Sequence, residues 1–399
     1  MKSKSLTIIL GCYYLKDDES YILNKYYKKN ICVSNEQYER KLFNGFLETG
    51  EDFIFISAPR VGGFPFTSRK LFVKGFKENK HLKTIKYFSP YGLLNAFKTK
   101  ALIRKVKQVL KEYGEPLNIH FVACEAHLPY LEVIKFFKKH NGKNSVFSTL
   151  IAPDMPSDMN KSTHHIYRFL KNRDVKKIQN ICDLYVDSFL CFTPFINEKI
   201  NRLQKKSFIS EGIMEDHSLV KKGKNDLNHV VYIGKTDKRN GVQTIIEAAK
   251  MLPDNFVVEI IGSGDFDDVL KSLETKNVIF HGFVRPSGID SYIKDADILL
   301  SPRFPDEDYV KYSFPSKIFE YLSFRKKIVT YRLPCYFKEL DTLLLYPKGF
   351  SAKDLANAIV DAAKNDFALN ESTLKKLISK YSPANVAKGI IELRGTTNE

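Results

Sequence analysis

Short apolar runs recur along the chain, each released into a glycine-bearing or polar loop and then into residues of helical period. In the second half, His229–Ile233, Val257–Ile261, Val278–Phe280, Ala296–Leu300 and Ile328–Tyr331 have the length and composition of strands. Between them, Val242–Met251 carries Ile245, Ile246, Ala248 and Ala249 at helical spacing, with Leu252 just beyond. A further helix is predicted near Gly288–Lys294, and another from Ser313, placed as N-cap, with Pro315 in its first turn. On that last helix Ile318, Phe319 and Leu322 share one face, while Lys317 and Glu320 point elsewhere. Strand–loop–helix units in this rhythm predict an α/β fold with a parallel, doubly wound sheet. The first half gives sparser strands: Leu6–Leu10, Asp52–Ser57, Asn118–Ala123 and Phe147–Ala152.

The loops after these strands carry the candidate chemistry, because open parallel sheets bind ligands beyond the carboxyl ends of their strands. Gly234–Gly241 is basic and bounded by glycines, the composition that lets a backbone close on phosphate. The helix start at Ser313–Lys317 offers unpaired N–H groups and a positive dipole end, and Glu320 could accept hydrogen bonds from vicinal hydroxyls. The same segment also reads as a capped core helix bearing one solvated glutamate. In the first half four loops are candidates for the acceptor side: Gly11–Tyr14, Ala58–Pro65, the segment holding Glu125 and His127, and Asp154–Asp158. His127 reads either as a packed loop histidine or as a group near the reacting centre.

Taken in order, Tyr-Ile-Gly-Lys235, Asn240-Gly-Val, Ile-Ile-Gly-Ser-Gly264, Phe-His-Gly-Phe-Val284, Ala-Asp-Ile-Leu-Leu-Ser-Pro-Arg303 and Phe-Pro-Ser-Lys-Ile-Phe-Glu320 resemble the donor domain of group 1 glycosyltransferases. The Tyr-Ser-Phe-Pro-Ser-Lys variant is similar to enzymes of bacterial capsule and exopolysaccharide assembly. The resemblance covers 229–331 and is faint over the first 210 residues. It implies two Rossmann-like domains facing across a cleft (the GT-B fold), and retaining transfer of a hexosyl unit from a nucleoside-diphosphate sugar to a lipid-linked or polysaccharide acceptor. By the same resemblance Lys235 grips the donor diphosphate. The family's second cation falls on Asn240, so Arg239 or Lys238 substitutes for it. Arg285 lies where relatives frame the nucleobase, Ser313, Ser316 and Lys317 form the phosphate-facing helix start, and Glu320 meets the ribose. The family's other glutamate falls on Tyr312, which leaves Glu307 or Asp308 of the acidic loop to supply a carboxylate. Asp154, in its Asp-Met-Pro context, resembles a recurring feature of the capsule-type relatives, and His127 corresponds to a histidine often placed near the reacting centre.

Two Asp-x-Asp pairs, Asp295–Asp297 and Asp306–Asp308, have the form of a metal site. The first reads better as helix-end and strand-start residues and the second as a solvated loop, so no metal is expected. Gly262-Ser-Gly264 has Asp267 where a dinucleotide fingerprint needs its third glycine, so no redox cofactor is expected either.

The 399 residues, 43% hydrophobic, suffice for two cores. The expected division is 1–210, 211–380 and a C-terminal helix 381–399 packing back on the first domain. Six cysteines without metal spacing suit reduced thiols in a cytoplasmic protein, and neither a secretory leader nor a spanning segment is expected. Charge is uneven. Residues 1–210 hold 36 Lys and Arg against 19 Asp and Glu, whereas 211–399 hold 27 against 27. The basic clusters Lys70–Lys111, Lys135–Lys143 and Arg168–Lys177 are interleaved with Phe and Tyr. They predict peripheral docking on an anionic membrane at the inner face of the cell membrane, or simply a solvated basic surface. No nucleic-acid motif accompanies the charge. An epimerase or phosphorylase on the same fold, and a non-catalytic nucleotide-sugar or nucleic-acid binder, remain alternatives.

Overall fold

A computed structural model describes residues 4–28, 34–114, 116–156, 165–217, 227–273, 275–306, 308–364 and 369–395, with side chains from 35 and from 172 in the second and fourth of these stretches. The chain divides into two compact units, Met1–Ile213 with Pro383–Glu399, and Met214–Ser382.

The first unit contains β1 (Lys4–Gly11), β2 (Phe53–Ser57), β3 (Phe72–Val73), β4 (Leu82–Thr84), β5 (Tyr87–Phe88), β6 (Leu117–Ala123), β7 (Ser145–Ala152), β8 (Ser188–Cys191) and β9 (Ser207–Ile209). Seven of these form one parallel sheet in the order β4-β2-β1-β6-β7-β8-β9, while β3 and β5 pair as a small antiparallel ribbon. β2 is buried along its whole length and β1 and β6 are buried through their carboxyl halves, which explains why they read as apolar runs without alternation. The helix Pro383–Leu393 belongs to this unit and packs on helix Ser34–Thr49. Gly45 makes the approach possible, since a Cβ there would lie 2.1 Å from the Pro383 carbonyl oxygen.

The second unit has β10 (Asn228–Ile233), β11 (Phe256–Ile261), β12 (Val278–Gly282), β13 (Ile298–Ser301) and β14 (Lys327–Thr330), all parallel, in the order β12-β11-β10-β13-β14. Val230, Tyr232, Val258, Ile260, Ile298 and Leu300 form its core with Ile245, Ile246 and Ile359 from covering helices. The predicted helices occur as Val242–Ala249 and Pro286–Asp295.

Both sheets reverse their direction of growth once. In the first the strand order turns between β1 and β6, and in the second between β10 and β13. At such a switch point the two flanking loops diverge to opposite faces and leave a crevice.

Candidate functional site

At the switch point of the second unit the loop after β10 is held in place by backbone packing that only glycine permits. Gly262, at φ +147°, lies so close to the Gly234 carbonyl that a Cβ would sit 1.7 Å from its oxygen. Gly241, at φ +75°, brings the far end of the loop against the Pro302 carbonyl after β13, where a Cβ would be 2.2 Å away. Asp267, standing where a dinucleotide fingerprint would have glycine, accepts the Gly264 N–H at 2.8 Å and the Thr236 hydroxyl. Asp237 caps the turn Lys238–Asn240 by accepting the Asn240 N–H at 3.0 Å.

On this rigid loop Lys235 and Arg239 are exposed, and the Arg239 guanidinium stacks 3.8 Å from the centre of the Tyr309 ring. Arg303, from the loop after β13, reaches the same ring at 5.7 Å and donates to the Ser313 carbonyl and hydroxyl. Three cationic side chains, Lys235, Arg239 and Arg303, therefore stand on the two loops that flank one switch point. Arg303 and Tyr309 were not singled out by the sequence as site residues. The Pro-Arg pair directly after a buried strand was the available signal.

The helix after this loop differs from expectation. It begins at Lys317 with Ser316 at the N-cap, and no side chain caps it, so Ser313 is not the N-cap. Phe314 is buried against Phe319, and the Pro315 carbonyl accepts the Ile318 N–H at 2.9 Å, which delays the first helical turn. Ser313 is instead gripped by Arg303. Lys317 and Glu320 are half-buried and joined at 2.6 Å. Ile318, Phe319 and Leu322 are buried as their spacing predicted. Arg285 is exposed just ahead of helix Pro286–Asp295. Glu307 lies outside the described residues. Asp297 accepts the His229 N–H at 2.8 Å and so aligns the start of β13 with β10.

The switch point of the first unit has a different chemistry. The Cys12 N–H, just past β1, donates to Glu39 at 2.6 Å. Beyond β6, Glu125 is 2% exposed, ion-paired with Arg60 and hydrogen-bonded to Asn35 at 3.2 Å. Glu36, 4% exposed, has both carboxyl oxygens shut from solvent without a partner. Burial, aided by neighbouring Glu39, raises its pKa to about 8, and burial raises that of Glu39 to about 7. His127 stands at the N-cap of helix Leu128–Lys139, with its Nε2 buried and unpartnered. Burial, with Lys98 and Arg60 nearby, holds the imidazole well below its ordinary value, so the ring is neutral at pH 7. Asp154 is half-buried, two residues beyond β7 and one strand away from the His127 loop.

The basic clusters fare unequally. Lys98 is not a surface residue. It is 2% exposed, its ammonium reaches the Pro59 carbonyl at 3.4 Å, and burial lowers its pKa to about 8. Near 135–143, Lys138 pairs with Asp187 at 2.5 Å and Lys135 with Glu132 at 4.0 Å, so part of that charge is neutralised locally. The five cysteines among the described residues are buried, and none of them forms a disulfide. No helix among the described residues is long and apolar enough to cross a membrane.

Residues 215–381 match the model of the glycosyl transferases group 1 family. No curated protein matches the chain by sequence. Among solved structures, sucrose-phosphate synthase from Thermosynechococcus elongatus superposes with a TM-score of 0.67 at 13% identity, covering 98% of each chain. The lipopolysaccharide outer core galactosyltransferase WaaB gives 0.60 at 12% identity, covering 98% of this chain and 100% of that one. Anabaena HepE in complex with UDP-glucose gives 0.60 at 12% identity, over 98% and 99%. The second unit, with its glycine-locked cationic loop at the switch point, thus carries the group 1 glycosyl transferase domain, and the chain is a glycosyltransferase of the two-domain GT-B fold.

Proposed function

We propose that the enzyme moves a hexosyl unit, with retention of configuration, from a nucleoside-diphosphate sugar to a lipid-linked or polysaccharide acceptor in the assembly of a bacterial surface glycan. The observation that carries this reading is the pair of loops at the second switch point, where Arg239 and Arg303 meet at the Tyr309 ring and Lys235 stands exposed on the same loop as Arg239, on a backbone held rigid by Gly241 and Gly262. Breaking the sugar–phosphate bond develops negative charge on the departing diphosphate. Fixed cations stabilise that charge as it grows, and losing one such group costs ~10²–10³ in rate. Since these side chains offer the leaving group its charge, turnover is proposed to need no divalent metal.

Glu320 is assigned to the ribose hydroxyls, with Lys317 as its orienting partner at 2.6 Å. Ser313, Ser316 and Arg285 complete the donor side. The acceptor is assigned to the loops that end β1, β2, β6 and β7, where Asp154 and the neutral His127 stand. A neutral imidazole accepts a hydrogen bond from a hydroxyl and so orients it without carrying charge into the site. The expected place of work is the cytoplasmic face of an anionic membrane, which the basic first unit favours.

Because HepE is recorded with UDP and UDP-glucose, uridine diphosphate is the first ligand to test. Lys235→Ala is expected to weaken UDP binding by about tenfold or more while sparing uridine. Equal loss for both ligands removes the phosphate role. Activity abolished by a chelator and restored by Mg²⁺ or Mn²⁺ removes the metal-free one.

A further inference from the structure

Large apolar side chains are concentrated on one face of the first unit. Of the seven exposed Phe and Tyr side chains among the described residues, five fall between 66 and 97: Phe66, Phe72, Phe88, Tyr91 and Phe97, with Leu71 and Leu93 beside them. They are 37–67% exposed. They form one surface, because the backbone knits them together. Phe72 pairs with Phe88 across the β3–β5 ribbon, the Ser89 N–H donates to the Leu71 carbonyl, and the Tyr91 N–H donates to Phe64. Ring contacts continue the patch, with Phe66 on Tyr91 at 4.8 Å, Phe72 on Phe88 at 5.0 Å and Phe88 on Phe97 at 6.1 Å. A patch of this kind on a folded protein marks a surface meant to be covered.

Its surroundings say by what. Between Phe66 and Lys111 the chain has thirteen Lys and Arg and a single acid, Glu78. Phe97 begins a stripe on helix Leu94–Tyr113 that continues through Lys100, Ala101, Arg104 and Lys105, the i, i+3, i+4, i+7, i+8 positions. Along that stripe opens a cavity of about 580 Å³ bordered by Lys86, Arg104, Lys105 and Thr84. Glu78 lies inside it and neutralises Lys105 at 3.2 Å, while Lys86 and Arg104 are exposed at its edge.

We infer that this face, from Phe66 to Lys111, docks on an anionic lipid bilayer, the aromatic and leucine side chains entering the headgroup region and Lys86, Lys100 and Arg104 meeting lipid phosphates. The inference rests on the lipid-linked acceptor proposed above and narrows it to one surface. An amphipathic surface binds a bilayer by buried apolar area together with attraction to anionic lipid. A second copy of this chain is disfavoured, because a self-paired contact would set the same basic ring against itself. Single-stranded nucleic acid is disfavoured by the leucines and by rings packed against each other, edge to face or tilted, which leaves few flat platforms for bases.

The chain contains no Trp, so a single Phe88→Trp substitution makes a clean probe. With vesicles of phosphatidylcholine and phosphatidylglycerol its emission is expected to shift to the blue, whereas Phe350→Trp, on the second unit, is expected not to shift. In co-sedimentation, Phe72→Ser/Phe88→Ser/Leu93→Ser is expected to lose about tenfold or more in vesicle affinity even at raised salt. Lys100→Glu/Arg104→Glu is expected to lose binding chiefly at low salt, and Lys135→Glu/Lys139→Glu to retain it. UDP binding and transfer to a water-soluble acceptor are expected to be unchanged in all of these variants.

Wild-type protein that ignores the vesicles, or a triple variant that binds them like wild type, overturns the inference. So does a dimer that the triple variant dissociates, or tighter binding to an oligonucleotide than to vesicles. In each case retained UDP binding and transfer would leave the glycosyltransferase reading standing. Their loss in wild type would remove the donor assignment instead.

Discussion

At the switch point of the second sheet the flanking loops present exposed cations on a backbone locked by glycine, while at that of the first sheet the flanking segments bury three glutamates around one arginine and a neutral histidine. The topology is the same and the chemistry is opposite. The first arrangement suits a ligand that arrives charged and leaves more charged, since exposed cations hold a diphosphate without a large desolvation cost. The second suits an uncharged hydroxyl, because Glu36, held protonated by burial, and a neutral imidazole can exchange hydrogen bonds with it without committing a charge, while the charge of Glu125 is already met by Arg60. Under the proposed function, one fold used twice would separate the two substrates by polarity.

Three changes test that contrast. The largest effect is expected from Arg60→Met, which strands Glu125 as a buried charge. It should destabilise the protein by about 3–5 kcal/mol, read from denaturant unfolding, whereas an unchanged midpoint would mean that the pair is not structural. Next comes Gly241→Ala, which forces a side chain into a left-handed turn and against the Pro302 carbonyl. A cost of about 2–3 kcal/mol is expected, appearing as weakened UDP affinity once the loop shifts. Wild-type affinity in calorimetry would show that loop geometry is irrelevant to phosphate.

The smallest effect is a pH dependence at Glu36. Its folded pKa of about 8 exceeds the ordinary value of 4.5, so the folded state keeps a proton that the unfolded chain has lost. That contribution is present in full below about 4.5 and is lost as pH rises through about 8. Glu36→Gln should therefore gain stability relative to wild type as pH rises from 5 to 8, by about 1 kcal/mol or a little more for each pH unit. Parallel pH profiles for the two proteins would show that Glu36 has a partner in solution.

The second unit was legible because its candidate chemistry is contiguous: buried strands announce themselves as apolar runs, and the candidate cations follow them directly in the next loop. What misled there was local. Ser313 had the look of an N-cap, but burial of Phe314 and the hold of Arg303 on Ser313 push the helix start to Ser316. In the first unit the polar cluster is assembled across gaps of 27, 65 and 90 residues, between Cys12 and Glu39, Arg60 and Glu125, and Asn35 and Glu125. No pattern along the chain can announce such a meeting. Lys98 was a readable error, because it lies at helical spacing with buried Leu102, Val106 and Val109 and so belongs to the inner face.

The helix Pro383–Leu393 closes the first unit after the whole of the second has intervened. During synthesis the second unit is available as an uninterrupted stretch, but the first must wait for its last helix with one side of helix Ser34–Thr49 uncovered. A chain cut before residue 383 would keep the second unit whole and leave the first open at Gly45, where the Pro383 carbonyl should rest. Quality control at the ribosome would then meet an apolar groove left uncovered along helix Ser34–Thr49.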